Sequence, residues 1–378
     1  MTKQSIQYLS WFQVVELGSS SFLPLMFWTF PRTAVQYAGM DAQWSVFLLV
    51  IAAVGVSFLH GLLNERFPTM TGPDMHVLTY GKWLAKPILV GYLVVYVFFV
   101  GMSLFFFVAS IKPFYSLTPR WAMVGALCLV AMRMSWHGVE SLGRVSAIVH
   151  PLTWFGVVSI FTTIILQAES FWLPHTVTSW GDTLRGAYYL LPIGLGFNFF
   201  LMLSPYYEHR RRRSIWYPVI SAAAGMLAVL LAFFAIILNI GWEGARDISF
   251  TVQYALQLIR HQGWIVERVG ILIIIFATAY TVLFASTHLW GISTLTARIL
   301  NQRDDHYRRF IIPVVMLVFG IAIWFRDNQQ AFDILDRWMV PISWVLLLVI
   351  PLLTYLFAVL RGIRTEPVPV RKPFADEP

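Results

Sequence analysis

One carboxylate and two clusters of small, helix-weakening residues hold the chemistry of this chain, and all of them lie inside apolar runs. The first run, residues 9–30, contains QVVELGSSSFLPLMFW, in which Glu16 is followed by Gly18, Ser19, Ser20, Ser21 and Pro24. A carboxylate within a membrane-length helix is expensive, and by default it marks function. Glu16 has three readings: it holds a ligand ammonium, it exchanges a proton, or it pairs with a neighbouring helix. The second cluster interrupts Ser179 to Tyr207 with Pro192, Gly194, Gly196 and Asn198. Gly and Pro weaken or break a helix interior. In lipid, backbone groups freed in this way must be covered by protein or line a cavity. The pattern predicts two half-helices with an unwound waist at 192–198, whose ends aim amides and carbonyls at a ligand near the midplane. A kinked, continuous helix is the plainer alternative.

The elements that must position these residues follow from composition. Of 378 residues, 58% are hydrophobic and 12% charged, with a mean hydropathy of +0.68. Soluble domains carry about 25% charged residues, so the chain is read as an all-α polytopic membrane protein. Ten apolar segments approach the roughly 20 residues of a spanning helix, near 9–30, 44–63, 84–110, 120–136, 146–167, 183–205, 215–240, 265–290, 309–325 and 339–360. The first carries Glu16 and lacks a small-residue cleavage site, so it is expected to remain as a span. The lone Cys128 cannot form an intrachain disulfide. No nucleophile–base pair, phosphate loop or metal-ligand cluster is present, so the sequence calls for no enzyme activity, no cofactor and no metal.

Charge sets the expected orientation. Two-thirds of the 27 Lys and Arg fall on one side of the ten-segment arrangement, which places both termini in the cytoplasm. The same bias explains the basic pI without nucleic acid. The run His209 to Arg213 reads as a topology anchor at lipid headgroups or a dock for an acidic partner. Residues 64–83 suggest a short cytoplasmic surface helix. Residues 243–262, with Val252, Leu256 and Ile259 at helical spacing, suggest an outer lid helix. Residues 1–364 form one transmembrane domain, and the Pro-rich residues 365–378 are expected to be a disordered cytoplasmic tail. Interruptions in segments one and six, five apart, predict two inverted five-helix repeats, about 9–167 and 183–360.

Four stretches carry a family likeness: NERFP (64–68), GKWLAK (81–86), HGVESLGR (137–144) and VERVGILIIIF (266–276). With them the chain resembles the B subunit of spore nutrient-germinant receptors, a spore germination permease family within the amino acid–polyamine–organocation transporter superfamily. The resemblance implies a leucine-transporter-type fold with the first and sixth helices broken. It also implies an assembly with an A subunit and a lipoprotein C subunit in the spore inner membrane. The ligand it implies is an amino acid or similar small nutrient.

Carried onto this sequence, the fold makes Gly18, Ser19, Ser20 and Ser21 a source of amides for a carboxylate. Gly194, Leu195, Gly196, Phe197 and Asn198 would supply carbonyls for an ammonium, and the Tyr96 and Tyr280 hydroxyls would close the site. Two other functions stay open: a proton- or sodium-coupled amino-acid transporter, and a membrane scaffold with a vestigial pocket. For ion coupling, segment five offers only His150 as a base, and segment eight offers the hydroxyls of Ser286 and Thr287. His137 and Glu140 are expected to brace helix packing, and Glu267 and Arg268 to form a local ion pair.

Overall fold

Over the described residues the apolar runs are mainly helical, as lipid requires of a backbone with no water to satisfy it. The computed structural model describes residues 9–168, 173–174, 176–207, 214–258, 270–302 and 304–366. The expectations for His209 to Arg213, Ile259, Glu267 and Arg268, and for tail residues 367–378, lie outside the described residues.

The first span is α1 (Trp11–Ser19), an irregular stretch, and α2 (Phe30–Ala38). After it come α3 (Ala42–Arg66), the short α4 (Gly72–Tyr80), α5 (Lys82–Ile111), α6 (Arg120–Trp136) and α7 (Val139–Leu166). The sixth span is α8 (Trp180–Leu190), a 3-10 stretch Leu191–Asn198, and α9 (Phe199–Leu203). The second half continues with α10 (Trp216–Asp247), α11 (Thr251–Leu258), α12 (Gly270–Ile299) and α13 (Arg308–Trp324). The last span is α14 (Asn328–Ile334), α15 (Val340–Trp344) and α16 (Ile350–Leu360), joined by π turns at Leu335–Met339 and Val345–Val349. Seven of these stretches are long and apolar enough to cross a membrane. The broken first span, α6 and α13 complete the ten.

Local chemistry explains the boundaries. Ser10 caps α1 in a capping box with Gln13, and Thr71 caps α4 with Asp74, each pair satisfying amides left open at a helix start. Pro31 and Pro73 sit in the first turns of α2 and α4, where a missing N–H is harmless. Gly241, at φ +76, interrupts α10 at the end expected for segment seven.

The interrupted helices carry the architecture. The first break opens after Ser19, later than its small residues suggest, because Gly18 and Ser19 still have helical partners. It is centred on Leu23 at φ +86, an uncommon conformation for a residue with a side chain. The waist of the sixth span is tightened into 3-10 geometry over Leu191–Asn198 rather than unwound. The two breaks lie against each other, and the Leu23 amide donates to the Ile193 carbonyl at 3.1 Å. Where the first span begins and the sixth ends, the Leu9 amide donates to the Tyr206 carbonyl at 2.7 Å. Around this pair α1 packs on α7 and α10, α2 on α8, and α12 on α5, α6 and α7.

The connecting elements refine the expectations. The surface helix of 64–83 exists as α4, but Met75, His76 and Thr79 are buried, so it tucks under the bundle. The stretch expected to form a lid contains a short helix, α11, with Val252 and Leu256 buried. The tail begins with an anchored residue, since the Thr365 amide donates to the Arg66 carbonyl at 3.1 Å.

Candidate ligand site beside the sixth-span waist

Gly196 is where the two breaks come closest. A Cβ built on it would stand 1.7 Å from the Ser21 carbonyl oxygen, so only glycine admits this approach. The Ser21 hydroxyl donates to the Gly196 carbonyl at 3.0 Å and to the Gly18 carbonyl at 2.6 Å. The Ser20 and Ser21 amides are taken by the Glu16 and Gly18 carbonyls, each at 3.0 Å. Neither is therefore open to a ligand carboxylate in this arrangement, contrary to the amide cradle expected at Gly18 to Ser21. The Ser19 hydroxyl faces Ser221 Oγ at 2.8 Å. Gly194, Leu195 and Phe197 are buried between the waists, and the Phe197 ring lies 4.3 Å from that of Phe22.

Asn198 and Tyr96 differ, because they reach a cavity. It measures about 60 Å³ and lies between the waist, α4, α5 and α12; His76, Tyr92, Tyr96, Asn198, Phe199 and His288 contribute to its lining. The Tyr96 hydroxyl donates to the Leu195 carbonyl at 2.7 Å, fixing the waist on one wall. Asn198 Nδ2 and the Tyr92 hydroxyl both donate to the Leu346 carbonyl at 3.0 Å. Leu346 lies in the second π turn, a helix irregularity that often accompanies functional sites.

Three rings and a second imidazole line up along this wall. His76 stacks on Tyr92 at 5.6 Å, Tyr92 on Tyr96 at 6.2 Å, and Tyr96 on His288 at 5.8 Å. His288 Nδ1 faces the Phe284 carbonyl at 3.1 Å, so that nitrogen carries the proton and Nε2 of the neutral ring is an acceptor. Buried polar atoms are normally hydrogen-bonded. Yet His288 Nε2, Asn198 Oδ1 and both ring nitrogens of the adjacent His60 have no partner of regular geometry.

Glu16 pairs with His150 of α7, Oε2 to Nδ1, with both side chains largely buried. The neighbouring-helix contact among the three readings of Glu16 is therefore present. Tyr280 lies on the same side, away from the cavity of Tyr96 and Asn198. It donates to the Ser19 carbonyl at 2.7 Å and to the Phe22 carbonyl at 2.9 Å. The Ser286 and Thr287 hydroxyls bond their own helix, at the Val282 and Leu283 carbonyls. Glu140 pairs with Arg144 one turn along α7.

His60, His76, His288, Tyr92 and Leu346 were not singled out in the sequence. His60 and His288 did leave a signal, an imidazole inside an apolar membrane run. Leu346 left none, because its part depends on a backbone irregularity.

Two interlocked broken helices within ten spans define the leucine-transporter class of membrane protein, and solved structures agree on the fold. The chain superposes on MhsT in complex with L-phenylalanine with a TM-score of 0.62, at 14% identity, covering 90% of this chain and 89% of that one. It superposes on Mhp1, a nucleobase-cation-symport-1 family transporter, at 0.60 and 11% identity, covering 96% and 87%. A Na+-coupled sialic acid symporter matches at 0.60 and 14% identity, covering 90% and 79%. Within that class, residues 8–331 match the family described as spore germination protein, and the chain belongs to it. The spore germination protein GerQB of Bacillus cereus is 21% identical over 328 residues, 84% of this chain and 86% of its own.

Proposed function

We propose that this chain is the nutrient-sensing membrane subunit of a spore germinant receptor, taking an amino acid or similar small molecule in the cavity beside the sixth-span waist. The observation that carries this reading is the set of buried polar atoms there without a partner of regular geometry, above all His288 Nε2 and Asn198 Oδ1. They leave an acceptor pair suited to an ammonium or hydroxyl, between aromatic walls suited to a small side chain. Binding one arrangement of the waist better than another shifts the population. That shift would reach an A subunit and a lipoprotein C subunit through surfaces at the end of α4. The reading puts the subunit in the spore inner membrane with both termini cytoplasmic, supported by its family and by the charge bias of its loops.

A coupled transporter is the second reading, favoured by the transport named for the solved structures of this fold. The self-bonded hydroxyls of Ser286 and Thr287, and the Tyr280 hydroxyl on the first-span carbonyls, favour sensing over sodium coupling.

A germination assay against an amino-acid panel tests the proposal, with subunit abundance measured alongside. His288→Ala should raise the half-maximal nutrient concentration roughly tenfold, as the loss of about one hydrogen bond would, at normal abundance. An unchanged dose-response would reject the site. Liposomes carrying the chain, a sodium or proton gradient and the labelled nutrient should show no concentrative uptake. Accumulation would establish the transporter instead.

A further inference from the structure

A second cavity, of about 70 Å³, is lined in part by Leu23, Phe27, His150, Thr153, Tyr280 and Thr281. The ion pair of Glu16 and His150 stands at its edge, the two side chains only 13% and 5% exposed. We propose that this pair is a proton-binding site whose occupancy sets how the break of the first span is held against α7 and α12.

The argument starts from charge. A carboxylate and an imidazolium together are neutral and tolerate burial. Removing the imidazolium proton leaves the Glu16 carboxylate uncompensated. Adding one to the carboxylate leaves the His150 cation uncompensated. Either change weakens the tie between α1 and α7, so proton occupancy and helix position are linked, each biasing the other. Imidazole is the side chain whose charge ordinarily changes in the physiological range. The proton would leave to, or arrive from, water entering the adjacent cavity, where the Tyr280, Thr153 and Thr281 hydroxyls give it polar neighbours.

The pair is also wired to the break. The Tyr280 ring lies 5.9 Å from that of His150, and its hydroxyl bridges the Ser19 and Phe22 carbonyls on either side of the point where helix gives way. The Glu16 carbonyl itself accepts the Ser20 amide at 3.0 Å. Leu23, held at φ +86, passes the connection to the sixth-span waist through its bond to Ile193. Pro151, next to His150, removes one backbone donor from α7 and makes that helix easier to bend there. The other elements packed on α1 bring few groups that compete. α10 contributes the Ser221 hydroxyl, and α12 contributes Tyr280. α9 holds no titratable residue, and the remaining charges near the start of α7, Glu140 and Arg144, pair with each other.

No nutrient enters the test, so it is independent of the proposed sensing role. The chain, in a Cys128→Ser background, is placed in lipid nanodiscs with spin labels at exposed Trp11 of α1 and exposed Trp83 of α5. The label-to-label distance should shift between pH 8 and pH 5, and Glu16→Gln and His150→Asn should each abolish the shift. In the same samples, infrared pH-difference spectra should show a carboxyl band that Glu16→Gln removes, which a purely structural bridge would not produce. A wild-type distance that ignores pH, or a shift that survives both variants, would overturn the proposal. Should those variants fail to fold, Glu16→Asp keeps the carboxyl and displaces it: a moved pH midpoint supports the site, and an unmoved one defeats it.

Discussion

The two broken spans look alike in sequence and do different work. In the first span, the break is an open turn through Leu23, and its carbonyls at Ser19 and Phe22 are held by Tyr280. In the sixth span the waist stays helical, wound tighter, and only one of its faces meets the other break. Its other face meets the cavity of His76, Tyr96, Asn198 and His288. An interruption that every neighbour satisfies is a joint. An interruption that leaves polar atoms partnerless is a wall of a site. Gly and Pro spacing alone does not distinguish them.

The largest expected effect breaks the contact that both share. Gly196→Leu would drive a side chain into the Ser21 carbonyl, a backbone atom that cannot swing away. The cost should exceed the roughly 3 kcal/mol of ordinary overpacking, and size-exclusion profiles should show no monodisperse protein. Gly18→Ala is the milder comparison: its Cβ would stand 1.9 Å from the end of the Phe200 ring, a side chain and not backbone, so a folded fraction should remain.

Acid should act next, and on the sixth-span side. Burial holds His76 of α4 down at about 4, against an ordinary 6.5. With the folded value lowered, stability is fully present above pH 6.5 and is lost as pH falls from 6.5 towards 4, by up to about 3 kcal/mol. Thermal unfolding across that window should show the slope, and His76→Asn should flatten it.

Tyr280→Phe and Tyr96→Phe sharpen the comparison at smaller cost. The first strips a shared donor from two buried carbonyls and should lower stability by about 2 kcal/mol. The second leaves one carbonyl, Leu195, without its donor, for about 1 kcal/mol. Melting temperatures should rank them in that order, while nutrient dose-response should move more with Tyr96→Phe. The reverse pattern would exchange the roles assigned to the two waists.

The local properties of the chain were legible in the sequence. Hydropathy marks spans because lipid selects continuous helix, and Gly, Pro and Ser mark interruptions because they weaken helix wherever they stand. From those rules came the ten spans, breaks in the first and sixth, and the importance of Glu16 and Gly196. Tertiary structure alone decided the partners. Glu16 meets His150 across 134 positions of chain, and the Ser20 and Ser21 amides are spoken for rather than offered. Tyr96 and Tyr280 end up on opposite sides of the broken spans, while His76 and His288, far apart in the chain, come to line one cavity. Such pairings depend on where distant helices cross and how tightly each break winds, which neighbouring residues along the chain do not determine.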